Sequence, residues 1–253
     1  MEQENQADFR ILGETPDFLA VDKPGGLLVH PTKPGGPTTL WDGLRSLLSY
    51  ELANGGQVSI INRLDRETSG IVLVAKNAAA ARQAGLAMQA GRFSKEYWAL
   101  VFGWPEWEEI TVDASLLRRG EVEPSPVFLE RMAHPEGQTA VTRFQVLKRL
   151  RRPDGALFSW ISARPETGRT HQIRVHAAFC GYPVIGDKLY AKGSRYYLDF
   201  IERGWTDELA KALWLPRHAL HCCGMAFDAH AWRSEMPADL EEFLRDCGPA
   251  ARR

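Results

Sequence analysis

The segment from Ile60 to Lys76 is an apolar run that a short charged cluster interrupts before the run resumes. Within the cluster, Arg63 and Asp65 alternate with Leu64. Because successive side chains of an extended backbone point to opposite sides, the two charged groups share one face while the leucine anchors the other. A Thr-Ser-Gly turn follows, and residues 71–75 continue as a strand of the buried type. The segment therefore constrains the chain to hold a carboxylate rigidly beside a buried strand.

A second dense segment, residues 164–176, combines arginines and histidines with a Thr-Gly turn. Gly168 can adopt backbone conformations that other residues resist, and Thr170 is a suitable N-cap. The pattern predicts a helix that runs from this point to about Cys180 and is terminated by Gly181.

One face of this predicted helix carries Ile173, Ala177 and Cys180, which we expect to be buried. Arg174 then lies at the margin of that face, where its guanidinium can reach a carboxylate on another element. Asp65 is the candidate partner.

The charged cluster is part of a longer pattern. Residues 62–70, Asn-Arg-Leu-Asp-Arg-Glu-Thr-Ser-Gly, resemble the signature His-Arg-Leu-Asp-x-x-Thr-Ser-Gly of the RluA family of RNA pseudouridine synthases. A single short pattern would be weak evidence for a family, but several patterns in the family's order argue against coincidence. The other blocks that resemble family motifs are residues 21–26 with 29–31, 95–99 with 103, 167–176, and 217–221.

One position departs from the signature, since Asn62 stands where the family usually has histidine. The change replaces a titratable ring by a neutral amide. Because the position flanks the carboxylate rather than supplying it, we expect the change to be tolerated, without any role for an imidazole there.

The order of elements predicts an α+β fold. Strands mixed irregularly with few helices argue for a mostly antiparallel sheet rather than a doubly wound parallel one. This agrees with what the resemblance implies, a pseudouridine synthase fold with a mixed sheet flanked by helices and loops and an active-site cleft across the sheet. The predicted strands are 18–22, 27–30, 71–75, 95–102, 139–147, 157–163 and 219–227, and the predicted helices include those capped by Thr39 and Asn77 and one over 237–245.

The resemblance also implies a chemistry, in which the glycosidic bond of a uridine breaks and the base is rejoined to the sugar through C5. Asp65 would be the nucleophile, attacking either the ribose C1′ or the base. Arg174 would keep the carboxylate ionised, and Tyr97 would pack against the base and assist removal of the C5 proton. Leu220 would close the apolar wall. No cofactor is expected, because the reaction is an isomerisation without net redox change, and no metal is expected, because the histidines lack the spacing of a zinc hydrolase.

The expected partner is RNA, either ribosomal or transfer RNA, whose target uridine must leave its stack before Asp65 can reach it. By resemblance, Arg63 is the residue expected to intrude into the RNA. Arg169 and His171 are candidates for phosphate or sugar contacts near the helix start, where backbone N–H groups favour anions.

Several of the residues singled out above also have a purely structural interpretation. A lone Arg-x-Asp pair is typical of a structural salt bridge, and Tyr97 lies in an alternating strand where a core tyrosine is the default. Lys23 precedes a Pro-Gly-Gly turn that lacks the Gly-Lys-Ser/Thr ending of a phosphate loop. The histidines lack the spacing of a zinc hydrolase, so structural or RNA-contacting roles are expected; they are His30, His171, His176, His218 and His221.

Charge gives no direct support for RNA binding, because 31 basic and 32 acidic residues leave a formal net charge of −1. The distribution is uneven, and basic residues are concentrated between 143 and 174. Such a distribution favours one basic face toward RNA, whereas the alternative is an ordinary solvated surface.

Length and composition, with 253 residues and 44% hydrophobic content, suit one sizeable domain or two closely joined lobes. We expect a polar tail over residues 1–10, a single catalytic domain over 11–253 with a helical insertion at 193–215, and no separate N-terminal RNA-binding domain. The lack of a signal-peptide pattern and of paired cysteine motifs predicts a cytoplasmic protein with reduced thiols. A monomer without an obligatory protein partner is expected.

A function of a different class also fits the resemblance, namely an RNA-binding protein or folding assistant that uses the same fold without chemistry. Asp65, Tyr97 and Arg174 at their motif positions argue against it.

Overall fold

The computed structural model describes residues 7 to 249. Positions 1–6 of the expected polar tail and the last four residues lie outside this range. The described chain divides into two compact units, of which unit 1 comprises 7–95 and 221–237 and unit 2 comprises 96–220 and 238–249. The expectation of a single catalytic domain stays a prediction.

The strands are β1 (Arg10–Glu14), β2 (Phe18–Lys23), β3 (Ser59–Ile60), β4 (Ser69–Ala75), β5 (Ser94–Phe102), β6 (Glu109–Asp113), β7 (Leu116–Arg118), β8 (Arg131–Ala133), β9 (Val141–Arg151), β10 (Leu157–Pro165), β11 (Leu220–Phe227), β12 (His230–Arg233) and β13 (Gly248–Pro249). The helices are α1 (Leu40–Leu47), α2 (Ser49–Ala53), α3 (Ala78–Gln89), α4 (Gln172–Phe179), α5 (Arg195–Arg203), α6 (Asp207–Leu213) and α7 (Ala238–Arg245), with a short 3₁₀ turn at Arg119–Glu121.

Unit 1 is built around β4, whose seven residues are all buried. Strands β2 and β3 pair with β4 in antiparallel register, while His221 and Cys222 at the start of β11 pair with it in parallel. Gly70 makes the parallel approach possible, because its φ is +110° and a Cβ there would lie 2.3 Å from the Cys222 carbonyl oxygen. The buried strand predicted after the charged cluster is therefore confirmed.

Local capping determines where two helices of unit 1 begin. Thr39 and Asp42 form a reciprocal capping box at the start of α1. Asn77 accepts a hydrogen bond from the Ala80 N–H at the start of α3, and Gly91 follows this helix with φ +68°. Both N-caps were predicted from the sequence.

The strand predicted over residues 27–30 is wrong, because this segment forms no strand. The Leu28 carbonyl accepts a hydrogen bond from the Leu40 N–H at 2.8 Å, and the Val29 carbonyl accepts one from the Trp41 N–H at 3.0 Å. The segment satisfies the open N–H groups of the first turn of α1 instead of pairing in a sheet.

Unit 2 contains a second antiparallel arrangement, in which β10 lies between β5 and β9, and β9 also pairs with β6 and β13. Tyr97 on β5 lies opposite Ala163 on β10. Its alternating neighbours Ala99 and Val101 are buried with it, as their period of two predicts. The α+β class with mostly antiparallel strands is confirmed.

The predicted insertion at 193–215 is helical, since it contains α5 and α6. Its two helices differ in how far their side chains are buried. Leu209 on α6 is buried, whereas Ile201 on α5 is 64% exposed, and α5 has no fully buried residue.

None of the helices among residues 7–249 is long and apolar enough to cross a membrane.

Candidate active site

The charged cluster of unit 1 forms an extended loop between β3 and β4. Leu64 is buried, Arg63 is exposed and Asp65 is partly buried. The sequence prediction that leucine would anchor one face while the charged side chains leave the other is confirmed. The Asp65 carboxylate is thus attached to a backbone that the Leu64 side chain holds against the core.

The loop is anchored on its upstream side by Asn62, whose side chain is buried. The Asn62 Nδ2 group donates to the Ile71 carbonyl at 3.0 Å, and its Oδ1 accepts from the Leu73 N–H at 2.8 Å. Both partners belong to β4. The position that departs from the family signature therefore contacts the backbone.

On the downstream side, the loop is tied to the turn that follows β2. The Arg66 carbonyl accepts a hydrogen bond from the Gly26 N–H at 2.8 Å and another from the Lys23 Nζ at 3.0 Å. Lys23 is fully buried and also donates to the Pro24 and Leu27 carbonyls. These contacts show a turn stabilised by a buried ammonium.

Arg63 lies near His30, and both belong to unit 1. Partial burial, together with the positive charge of Arg63, holds the pKa of His30 below its ordinary value. Protonation of His30 is therefore disfavoured beside this exposed guanidinium.

In unit 2, Arg174 is buried on α4 and forms a bidentate ion pair with Asp187. The Nε–Oδ2 distance is 2.7 Å and the Nη2–Oδ1 distance is 2.9 Å. Complete burial alone would raise the pKa of the Asp187 carboxyl, but the Arg174 guanidinium outweighs burial and lowers it well below its ordinary value. Asp187 also accepts the N–H groups of Leu189 and Tyr190.

Sequence reasoning missed Asp187 and named Asp65 as the carboxylate for Arg174. Asp65 lies in unit 1 and Arg174 in unit 2, and the pairing of these two residues stays a prediction. No local pattern singles out Asp187, because its partner lies on α4, 13 positions earlier.

The start of α4 differs from the prediction, since Thr170 is not its N-cap. His171 occupies that position with a left-handed φ of 58°, and its side chain makes no capping hydrogen bond. Its Nδ1 instead lies 2.7 Å from the Tyr190 hydroxyl oxygen, which also accepts the Arg131 N–H. The next residue, Gln172, ties α4 to residues upstream, because its Oε1 accepts from Thr167 and its Nε2 donates to Val141 and Thr142.

The other predicted site residues lie in unit 2. Arg169 is exposed, with its Nε donating to the Thr139 carbonyl at 3.0 Å. Tyr97 is buried on β5, and Leu220 is buried at the first position of β11. Unit 2 therefore holds Tyr97, Arg169, His171, Arg174 and Leu220, while unit 1 holds Arg63 and Asp65.

Comparison with known proteins decides the family. The family model described as RNA pseudouridylate synthase matches residues 17–179. The chain belongs to this family. It is an RNA pseudouridine synthase, an isomerase, and the resemblance to the RluA family is confirmed.

Curated relatives agree with this assignment. The pseudouridine synthase is 34% identical to ribosomal large subunit pseudouridine synthase D of Pseudomonas aeruginosa, over 92% of this chain and 70% of the relative. It is 40% identical to an uncharacterized RNA pseudouridine synthase of Chloroflexus aurantiacus, over 88% of this chain and 65% of that protein.

Among solved structures, the fold of this pseudouridine synthase is similar to that of human RNA pseudouridylate synthase domain containing 1. The TM-score is 0.71 at 24% identity, and the alignment covers 99% of this chain and 92% of the other. The similarity supports the assigned fold.

The buried histidines of the pseudouridine synthase have structural partners. The His221 Nδ1 lies 3.0 Å from the Ser69 Oγ within unit 1. In unit 2, the His176 Nδ1 lies 2.9 Å from the Thr142 Oγ1, and its Nε2 lies 2.9 Å from the Ala114 carbonyl oxygen. Within the described range, no group of three or more His, Cys, Asp or Glu side chains could hold a metal ion.

The basic residues that were expected to face RNA are largely paired with acids. Arg143 pairs with Glu166 at 2.7 Å, and Arg149 pairs with Glu108 at 2.6 Å. Similar pairs within residues 143–174 join Arg152 to Asp154 and Arg164 to Glu96, and upstream of that stretch Arg118 pairs with Glu121 and Arg119 with Glu130. This local neutralisation weakens the argument for a broad basic face, and it gives individual exposed arginines such as Arg63 more weight.

Proposed function

We propose that this enzyme isomerises specific uridines in ribosomal RNA, using Asp65 as the nucleophile on a uridine that has been flipped out of its stack. The observation that carries the proposal is the placement of Asp65, a partly buried carboxylate on a loop anchored at both ends. Ribosomal RNA is preferred over transfer RNA because several relatives are named for the large ribosomal subunit.

In the proposed reaction, the bond between uracil N1 and ribose C1′ breaks and a bond between C5 and C1′ forms. The C5 proton is lost, N1 gains a proton, and no electrons enter or leave. Asp65 attacks C1′ or the base as an ionised carboxylate, which the positive charge of Arg174 favours. Tyr97 packs against the base and assists removal of the C5 proton, and Leu220 closes the apolar wall.

Binding requires the RNA to give up the stacking of the target base, at a cost of a few kcal/mol. Arg63 is the group proposed to enter the vacated position, because it is exposed and precedes Asp65 by two residues. Arg169 and His171 are assigned to phosphate or sugar contacts. The proposal keeps the expectations of a cytoplasmic monomer that needs no cofactor.

Mapping pseudouridines in total RNA from cells with and without the gene tests this function. We expect specific positions in ribosomal RNA to lose the modification and to regain it when the wild-type gene is returned, but not when the Asp65→Asn gene is returned. Loss of positions in transfer RNA would overturn the choice of RNA. An unchanged map, or full restoration by Asp65→Asn, would overturn the proposed function.

A further inference from the structure

The short ladder between β3 and β4 ends just before the charged cluster. Ser59 lies opposite Ala75 and Ile60 opposite Val74, and the Ile61 N–H then donates to the Leu73 carbonyl at 2.8 Å. Up to this point the main chain supplies the hydrogen bonds.

At the next residue, Asn62, the side chain rather than the main chain makes the hydrogen bonds to β4. The Asn62 Nδ2 donates to the Ile71 carbonyl at 3.0 Å, and the Asn62 Oδ1 accepts from the Leu73 N–H at 2.8 Å. An amide side chain carries one donor group and one acceptor, as the backbone does. Asn62 therefore continues the pairing with β4 through its side chain while its own main chain leaves the ladder.

The replacement of main-chain by side-chain hydrogen bonds positions the loop that carries Asp65. Because the Asn62 side chain satisfies the hydrogen-bonding groups of Ile71 and Leu73, the backbone beyond Asn62 can leave the strand with Arg63 exposed and Leu64 buried. Three residues later, the Arg66 carbonyl is held by the Gly26 N–H and the Lys23 ammonium. Asp65 thus lies between two anchors, and Asn62 supplies the upstream one.

We propose that Asn62 is a positioning residue for Asp65, and that it must both donate and accept a hydrogen bond to fix the direction of the Asp65 loop. The inference rests on the proposed function, since it assumes that Asp65 carries out the chemistry. Asn62 is 5% exposed, so water cannot readily replace either contact when the amide is removed. A displacement of about 1 Å in a reacting group can cost on the order of a hundredfold in rate.

The direct test compares Asn62→Ala with a matched control, Asn77→Ala. Asn77 lies in the same unit and also makes two side-chain hydrogen bonds, accepting from the Ala80 N–H at 2.8 Å and donating to the Asp17 carboxylate at 2.9 Å. Both variants are assayed for pseudouridine formation on total RNA from cells that lack the gene, at a temperature where circular dichroism shows each to be folded.

For Asn62→Ala we expect kcat to fall by at least about tenfold with KM for RNA changed less, because the reacting group is displaced. Asn77→Ala should stay within about twofold of the wild type, because its hydrogen bonds cap a helix away from the loop. Equal rates for the two variants, or a loss confined to KM, would overturn the proposal.

Asn62→His, which introduces the residue usual in the family, supplies a second readout. A neutral imidazole donates from one nitrogen and accepts at the other, whereas an imidazolium only donates and would face the Leu73 N–H. The charged groups on the elements packed against this position are Asp22 and Lys23 on β2, opposite Ile71 and Gly70, and Arg63, Asp65 and Arg66 on the loop; Asp22 is paired with Arg10. We expect this variant to be active near pH 8 and to lose activity, relative to the wild type, as the pH falls through the pKa of the buried imidazole, which burial holds below the ordinary value of about 6.5. If the pH profiles of Asn62→His and the wild type are parallel, residue 62 does not need to accept a hydrogen bond from the Leu73 N–H.

The two proposals fail in different ways. If Asp65→Asn keeps full activity, the proposed function is wrong. If Asp65→Asn is inactive while Asn62→Ala matches Asn77→Ala, the function stands and the role of Asn62 is wrong.

Discussion

Arg174 and Asp187 form a buried bidentate ion pair, in which the Arg174 Nε and Nη2 groups donate to the two carboxylate oxygens of Asp187. The Arg174 guanidinium also lies over the Tyr190 ring, 5.0 Å from its centroid. Arg174, which we propose keeps Asp65 ionised, is thus held in place by the Asp187 carboxylate and the Tyr190 ring, both within unit 2.

Asp187→Asn should destabilise the protein strongly, because it leaves the Arg174 charge buried without its carboxylate. We expect a loss of about 3–5 kcal/mol in the free energy of unfolding, measured by urea denaturation. Asp239→Asn is the matched control, since Asp239 forms a bidentate pair with Arg217 at 2.6 and 2.8 Å but is 47% exposed. The control should cost less than about 1 kcal/mol.

The acid sensitivity of the pair has a definite sign. Because the native pKa of Asp187 is lowered, its contribution to stability is fully present above the unfolded value of about 3.9 and is lost as the pH falls through the lower native pKa. If Asp187→Asn and Asp239→Asn destabilise the protein equally at neutral pH, the role of the buried pair is wrong.

His176 should also make stability decrease on acidification, but nearer to neutral pH than Asp187 does. Gln172 donates to Thr142, Thr142 in turn can donate to the His176 Nδ1, and the His176 Nε2 faces the Ala114 carbonyl, which fits a neutral ring. Burial lowers the native pKa of His176. The stability it provides is therefore fully present above about 6.5 and declines as the pH falls from there toward the native pKa.

His176→Gln should remove this decline. We expect the difference in unfolding free energy between the wild type and the variant to shrink as the pH is lowered from 7 to 5, as measured by denaturant titrations at each pH. A difference that is constant over this range would show that the ring does not titrate on unfolding.

Arg63→Ala should weaken RNA binding and reduce the dependence of affinity on salt, because an exposed guanidinium two residues before Asp65, the proposed nucleophile, is lost. If Arg63 contacts a phosphate as it enters the RNA, the slope of log affinity against log salt should fall by about 1. Arg82→Ala is the control, since Arg82 is an exposed arginine on α3 in the same unit. Identical salt slopes for the two variants would remove Arg63 from the RNA interface.

Features set by local sequence were predicted well. The caps at Thr39 and Asn77 depend on a side chain and the first turn that follows it, and the alternation of Arg63, Leu64 and Asp65 depends on three consecutive residues. The fold class and family followed from strand order and from motifs that the chain carries in sequence.

Features that depend on distant partners were not predicted. Residues 27–30 have the composition of a strand, but the carbonyls of Leu28 and Val29 accept hydrogen bonds from N–H groups at the N-terminus of α1. Thr170 has the chemistry of a cap, yet His171 takes the position, with its ring 2.7 Å from Tyr190. Asp187 has no local signal because its role depends on a residue of α4.

The proposed isomerisation depends most directly on the carboxylate of Asp65. The decisive measurement is pseudouridine formation by purified Asp65→Asn on total RNA from cells that lack the gene, with RNA affinity measured in parallel. Asp22→Asn, which alters another carboxylate of unit 1, is the control. We predict that Asp65→Asn binds RNA with an affinity close to that of the wild type but forms no product, while Asp22→Asn remains active. Product formation by Asp65→Asn at the wild-type rate would contradict the account.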